Sequence, residues 1–203
     1  MADAAGGAEV TLAELAASLG VRTPSLYNHV SGQTGLRREL ALLGTHELSA
    51  RLGRAAVGKA DDDAVLALAH AYREFAGEHP GLYAATLRAP EPSDSELRAV
   101  GEEILAVLRA VLEAYGLRGD EATHAIRGLR SLLHGFVSLE VAGGFGLPLD
   151  LDESFTRLVR VFTAGLPRID GESLARSLGT HSQTRDSGGP TCRGVPRLNL
   201  LRE

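Results

Sequence analysis

Apolar side chains recur every three or four residues along most of the chain, which is the period of an α-helix with one buried face. The short alternating runs of apolar and polar residues that mark a half-buried strand are absent. The pattern therefore predicts an all-α protein, with helices over residues 12–19, 24–30, 34–52, 61–76, 82–88, 94–115, 120–141 and 151–166.

Local signals set the ends of the first two helices. Thr11 and Glu14 have the Ser/Thr-x-x-Glu spacing of a capping box, so a helix is expected to begin at residue 12. Gly20 suits the left-handed position that ends a helix. Thr23 followed by Pro24 is typical of an N-cap with proline at the first helical position, which predicts a second short helix.

Two helices joined by a short glycine-containing turn form a helix-turn-helix, whose second helix enters the major groove of DNA. The alternative is a purely structural helix pair, which occurs in many all-α proteins. The outward chemistry favours DNA, because hydroxyl, amide and imidazole groups contact phosphates and base edges while Leu26 and Val30 anchor the helix. The residues expected to face DNA are Arg22, Thr23, Ser25, Tyr27, Asn28 and His29.

The last two predicted helices carry more apolar surface than one small domain covers. Helix 120–141 is apolar around a wide arc, whereas a surface helix needs a single stripe of about 100°. A homodimer buries such an excess, and the alternative is that the helix is simply central in the fold. The candidate interface residues are Leu129, Leu132, Leu139, Phe155, Leu158 and Phe162.

Composition and charge narrow the functional classes. The formal net charge of -5 provides no global attraction to nucleic acid, so DNA binding would require a local surface. No stretch approaches the roughly 20 apolar residues of a membrane span, and the start carries no basic and apolar leader, which favours a cytoplasmic protein. The chain has one cysteine, Cys192, so we expect no structural zinc site. His70 and Glu74 have no second ligand pair, so we expect no other metal site and no cofactor.

The opening segment "TLAELAASLGVRTPSLYNHV", residues 11–30, resembles the DNA-binding segment of TetR-type transcriptional repressors. The resemblance includes the Thr-Leu start, the Ala-rich helix, the Leu-Gly-Val turn and the Leu-Tyr-x-His ending. A second segment, "LLHGFVSLEVAGGFG" at residues 132–146, resembles the C-terminal domain of a TetR subgroup written around a Trp-His-Gly core. This chain keeps the His-Gly pair but contains no tryptophan.

The resemblance implies a homodimer with two DNA-reading heads that bind a palindromic double-stranded operator. It also implies a larger helical domain that binds a small effector and dimerises through the last two long helices. Carried onto this sequence, it places Tyr27 and His29 on the phosphate backbone. Gln33 stands where the family commonly has a lysine, so one phosphate contact would lose its charge.

The N-terminus departs from the family pattern, in which a full helix and often a basic arm precede the segment matched here. Residues 1–10 are too short for that helix, and residues 1–54 contain five arginines and five acidic residues. Either the chain starts short or its true start lies upstream. The alternative function is therefore a ligand-binding helical dimer in which DNA binding is impaired.

The expected organisation is a DNA-binding domain at 1–50, an effector-binding and dimerisation domain at 51–167 and a disordered tail at 168–203. An effector that tilts helix 34–52 would change the spacing of the two recognition helices and lower operator affinity. An apolar cavity with one orienting histidine would be lined by Tyr72, Phe75, Tyr83, Leu87, Ile104, Leu108, Leu133, His134, Phe136 and Val137.

Overall fold

The computed structural model describes residues 10–167, and all regular structure in that range is helical. The predicted all-α class is confirmed. The predicted tail at 168–203 and most of the segment before Thr11 lie outside the described residues. The helices are α1 Leu12–Leu19, α2 Thr23–Leu26, α3 Gly32–Ala56, α4 Asp61–Glu78, α5 Pro80–Ala85, α6 Ser95–Leu112, a 3-10 turn Glu113–Tyr115, α7 Gly119–Val141 and α8 Leu151–Ala164.

The second helix is shorter than the sequence predicted. Its N-cap is Arg22 rather than Thr23, because the Arg22 carbonyl accepts the first bond, from the Ser25 N–H at 2.9 Å. The helix ends at Leu26, and the following residues continue as turns in which the N–H groups of His29 and Val30 both donate to the Leu26 carbonyl. The expected rod over 24–30 is thus one helical turn followed by hydrogen-bonded turns.

Buried apolar side chains form two separate clusters, and α3 contributes to both. Leu36, near the start of α3, belongs to the smaller cluster, whereas Leu48 and Leu52 belong to the larger one. The smaller cluster, the head core, consists of Val10, Leu12, Ala16, Leu26 and Leu36. The larger cluster, the main core, takes its buried side chains from α3 to α8. One continuous helix therefore connects the two cores.

A partly buried arginine on α4 joins the end of α7 to the start of α8. The Arg73 guanidinium forms a two-point pair with Glu140 of α7 at 2.5 and 2.8 Å and a further pair with Asp152 of α8 at 2.8 Å. It also lies over the rings of Phe136 and Phe155, 5.4 and 4.9 Å from their centroids. The Arg73 and Glu140 side chains are only 15% and 27% exposed, so this pair is partly shielded from water, whereas Asp152 is exposed.

A glycine in α3 permits a close approach by α5. A β-carbon at Gly44 would lie 2.8 Å from the Leu82 carbonyl oxygen and 3.0 Å from the Thr86 methyl group. On its other side α5 is held by Tyr83, whose hydroxyl bonds Tyr72 of α4 and His134 of α7. The short helix is thus held between α3 and the main core.

Candidate functional site

The helix-turn-helix lies at the start of the described chain. The Thr11 hydroxyl accepts from the Glu14 N–H at 3.2 Å, and the Glu14 carboxylate accepts from the Thr11 N–H at 2.8 Å, so the predicted capping box is present. That bond from the Thr11 N–H lowers the pKa of Glu14. Gly20 ends α1 in the left-handed conformation, at φ 65°. The turn then positions α2 across α1, with Leu26 buried between them in the head core.

The polar residues predicted to face DNA surround that anchor on the solvent side. Arg22, Ser25, Asn28 and His29 are exposed, Thr23 is half-buried, and the Tyr27 side chain is 60% exposed. The turns after Leu26 therefore present an aromatic hydroxyl, an amide and an imidazole in succession. These groups can donate to phosphates and read base edges.

Gln33 does not point into solvent as a DNA contact would. Its amide nitrogen donates to the Val10 carbonyl at 2.6 Å, and its amide oxygen accepts from the Leu12 N–H at 3.2 Å. The first N–H groups of a helix lack partners within it, so Gln33 satisfies one of them from α3. In this structure the side chain ties the start of α1 to the start of α3.

Replacing Gln33 with alanine is expected to expose the start of α1. The Leu12 amide should exchange with solvent roughly 5- to 10-fold faster, since a hydrogen bond is worth about 1 kcal/mol. Hydrogen–deuterium exchange with residue resolution measures this change. Thr34→Ala, an exposed neighbouring position, is the matched control and should leave the Leu12 rate unaltered. An unchanged rate in the Gln33 variant would contradict this assignment.

A charged cluster joins the head end of α3 to the start of α6. Arg38 makes a two-point pair with Asp94, at 2.6 and 2.9 Å, and bonds Glu96 at 2.7 Å. Asp94 also accepts from the Leu97 N–H and so caps α6. Arg38 and that N–H hold the pKa of Asp94 below its usual value. No sequence pattern indicates this contact, because its partners lie 56 residues apart and share no local signal.

The residues predicted to line an effector cavity divide by burial. Tyr72, Phe75, Tyr83, Leu133, Phe136 and Val137 are packed in the main core. Leu87, Ile104, Leu108 and His134 keep part of their surface. His134, the predicted orienting histidine, bonds the Tyr83 hydroxyl at 2.5 Å. That hydroxyl also bonds the Tyr72 hydroxyl, so His134 is linked to two of the predicted lining residues.

A shallow open cleft of about 410 Å³ lies elsewhere, between the end of α3, the start of α4 and the end of α6. Its walls are mostly alanine and valine, with Lys59 and Asp61 at its edge. None of the predicted effector residues contributes to it. Across residues 10–167 no group of three or more His, Cys, Asp or Glu could hold a metal ion, and the His70 ring instead packs against Phe155 at 5.3 Å.

The candidate interface residues on α7 and α8 fall into two groups. Leu129 and Phe155 are buried within the single chain, Phe155 completely, and so are not available to a partner. Leu132, Leu158 and Phe162 are half-buried and Leu139 is exposed. Periodicity missed Val161, which is 72% exposed on the same side of α8 as Leu158 and Phe162.

Comparison with known proteins identifies the fold and its function class. A family model described as the C-terminal domain of tetracyclin repressor-like proteins matches residues 65–162. The HTH-type transcriptional regulator Rv0681 of Mycobacterium tuberculosis is 41% identical over 167 residues, which are 82% of this chain and 76% of that protein. The HTH-type transcriptional regulator YobS of Bacillus subtilis is 39% identical over 167 residues, 82% of this chain and 86% of its own. The chain belongs to the TetR family of transcriptional regulators.

The fold agrees with that assignment. The crystal structure of PfmR, a TetR family transcriptional regulator from Thermus thermophilus, has a TM-score of 0.58 and 21% identity, covering 78% of this chain and 90% of that one. The resemblance predicted from residues 11–30 and 132–146 is therefore confirmed. The relatives are named as regulators of transcription rather than as enzymes. In residues 10–167 no helix is long and apolar enough to cross a membrane.

Proposed function

We propose that this TetR-type regulator binds a palindromic DNA operator as a homodimer and leaves it when a small effector binds the main core. The observation that carries the proposal is the exposed surface of Tyr27, Asn28 and His29 on a supported helix-turn-helix. Residues 1–50 form the DNA-binding domain in this proposal, and residues 51–167 form the effector-binding and dimerisation domain.

Each exposed group of the head receives a role from its chemistry. Arg22 pairs with a phosphate, and Tyr27 and His29 donate to the phosphate backbone. Asn28 offers the amide that makes two bonds to adenine in the major groove. Ser25 and Thr23 supply short hydroxyl donors. Gln33 acts through α1 rather than through DNA, because its amide is engaged by Val10 and Leu12.

Dimerisation uses the solvent face of the last two helices. Gly128 and Gly135 leave α7 without side chains at two exposed positions of that face, which lets a partner helix approach closely. Leu132, Leu139, Leu158, Val161 and Phe162 supply its apolar surface. A two-fold pair of such faces buries surface that would otherwise contact water. Sedimentation equilibrium should give twice the 21.4 kDa mass of the chain, and a single-chain mass at micromolar concentration would contradict the interface.

The effector signal passes from the main core to the head through α5 and α3. Tyr83 connects α5 to α4 and α7, and Leu82 of α5 and its C-cap Thr86 lie against Gly44 of α3. A ligand that moves α5 therefore moves α3, and with it the head core. Operator binding requires two recognition helices about 34 to 36 Å apart, so a tilt of α3 lowers affinity.

Operator binding is tested by selecting bound duplexes from a random pool and measuring affinity by fluorescence anisotropy at several salt concentrations. The Arg22→Ala variant should bind more weakly, with a salt slope smaller by about 0.9 because one phosphate contact is lost. Arg54→Ala removes the same charge at the far end of α3 and should retain the original slope.

The outcomes separate the two functions considered. A selected palindrome whose affinity falls in the Arg22 variant but not in the Arg54 variant supports the regulator described above. Enrichment of no duplex by a folded dimer would instead favour a ligand-binding helical dimer with impaired DNA binding. That second function is considered because residues 1–54 contain equal numbers of arginines and acidic residues and so carry no net positive charge to attract DNA.

A further inference from the structure

A line of hydrogen-bonding groups runs through the apolar interior where α4, α5 and α7 meet. The hydroxyls of Tyr72 and Tyr83 lie 2.9 Å apart, and the Tyr83 hydroxyl is 2.5 Å from Nδ1 of His134. Both tyrosines are 7% exposed, so the two hydroxyls are shielded from water. Buried hydroxyls are costly unless they are hydrogen-bonded, and here each bonds the next.

Arg130 adds a positive charge to this line. It lies one helical turn before His134 on α7, and its guanidinium donates to the carbonyls of Thr86, at 3.1 Å, and Leu87. Burial raises the pKa of both tyrosines, and the Arg130 charge opposes that rise at each. The positive charge of the guanidinium therefore acts on both phenols.

The cluster of Tyr72, Tyr83, Arg130 and His134 is rich in donors and contains no carboxylate. Arg130 forms no salt bridge within residues 10–167, whereas Arg38, Arg51 and Arg73 are all paired with acids. Its present acceptors are the uncharged carbonyls of Thr86 and Leu87, just after α5. A guanidinium binds a carboxylate more strongly than a neutral carbonyl, because both partners are then charged.

We propose that this cluster is the polar end of the effector site and that the effector carries a carboxylate. The carboxylate takes the Arg130 guanidinium away from Thr86 and Leu87 and accepts a further bond from the Tyr72 hydroxyl. The inference rests on the proposed function, since it assigns the ligand class to the effector site of the main core. Arg130 and His134 bring the cluster to the surface beside Leu87, which is 37% exposed, and this is the way in for the ligand.

The same exchange gives the carboxylate a route to the head. Arg130 donates to the carbonyls of Thr86 and Leu87, the two residues that follow α5, a favourable position for a cation at a helix end. When the guanidinium turns to the carboxylate, that restraint on α5 is lost. Thr86, whose methyl group lies against Gly44 of α3, is the residue released first.

The test uses the full chain and a series of linear and aromatic monocarboxylates, acetate to dodecanoate and benzoate, each beside its uncharged amide. Calorimetry should show binding of at least one carboxylate with at least about 10-fold preference over its amide. Arg130→Met should weaken that carboxylate by about 10- to 100-fold, and Tyr72→Phe by about 10-fold, because each loses a bond to a charged group. Arg127→Met, which removes an exposed charge three residues earlier on α7, should bind normally.

Each outcome bears on the site separately from operator binding. No binding by any carboxylate at 1 mM, equal binding of acid and amide, or full affinity in a folded Arg130 variant overturns the assignment, even if the operator is bound as proposed. Binding of a carboxylate that depends on Arg130 upholds the assignment even if no operator is found. Release of a selected operator by that same carboxylate, absent in the Arg130 variant, supports both.

Discussion

Alanine at Gly44 is expected to lower the free energy of unfolding by about 1–3 kcal/mol, the usual cost of adding atoms to a filled site. The added β-carbon would lie 2.8 Å from the Leu82 carbonyl oxygen, which belongs to the backbone and cannot turn aside as a long side chain would. Either α5 moves away from α3 or the helix bends. Chemical denaturation monitored by circular dichroism measures the loss.

Gly53 supplies the matched control for that substitution. It lies in the same helix, and a β-carbon there would meet nothing within 4 Å. Gly53→Ala should therefore stabilise the protein by up to about 1 kcal/mol, because alanine favours the helix without a clash. Equal effects at the two glycines would show that α5 does not press on α3. A destabilised but folded Gly44 variant should also have altered operator affinity if α5 transmits the effector signal.

Removal of the Arg73 side chain should be comparably damaging. Arg73→Met leaves the half-buried Glu140 carboxylate without its partner and removes the cation from the faces of Phe136 and Phe155. Breaking a buried pair in this way costs about 3–5 kcal/mol, and the partial exposure of Glu140 places the expected loss near the lower end, about 3 kcal/mol. Urea unfolding at neutral pH measures it.

Two further variants identify the source of that loss. Arg157→Met breaks an exposed pair with Glu153 one turn apart on α8 and should change stability by less than about 1 kcal/mol. The double variant Arg73→Met with Glu140→Gln should recover part of the loss, because no uncompensated charge then remains. If the double variant were no more stable than Arg73→Met alone, packing on the two rings rather than the ion pair would account for the effect.

Sequence patterns predicted the helices well where the determinants are local. The capping box of Thr11 and Glu14 and the left-handed Gly20 involve residues within a few positions of each other, and both occur as expected. The predicted end of α2 is wrong, because regular helix stops at Leu26 and the segment continues to Val30 as hydrogen-bonded turns. Periodicity alone does not distinguish a short helix from one helical turn followed by further turns.

Contacts between segments far apart in the chain could not be predicted from sequence patterns. The family pattern places Gln33 on DNA, yet its side chain bonds Val10 and Leu12, which lie 23 and 21 residues earlier. Apolar spacing likewise could not separate the core from the interface, so it grouped the fully buried Phe155 with the half-buried Leu158. Burial depends on which helices pack together, and no single helix records its neighbours.

The unbroken course of α3 turns it into a lever. From Gly44 to the head end at Gly32 the helix spans about 18 Å, at 1.5 Å per residue, with no proline or distortion to absorb motion. A rotation of α3 by only about 10° about Gly44 would displace the head by roughly 3 Å. In the proposed dimer the two heads are related by a two-fold axis, so the change in their separation would be up to twice that displacement. In the proposed regulator, a small rotation of α3 would thereby produce a mismatch on the scale of a DNA base-pair step.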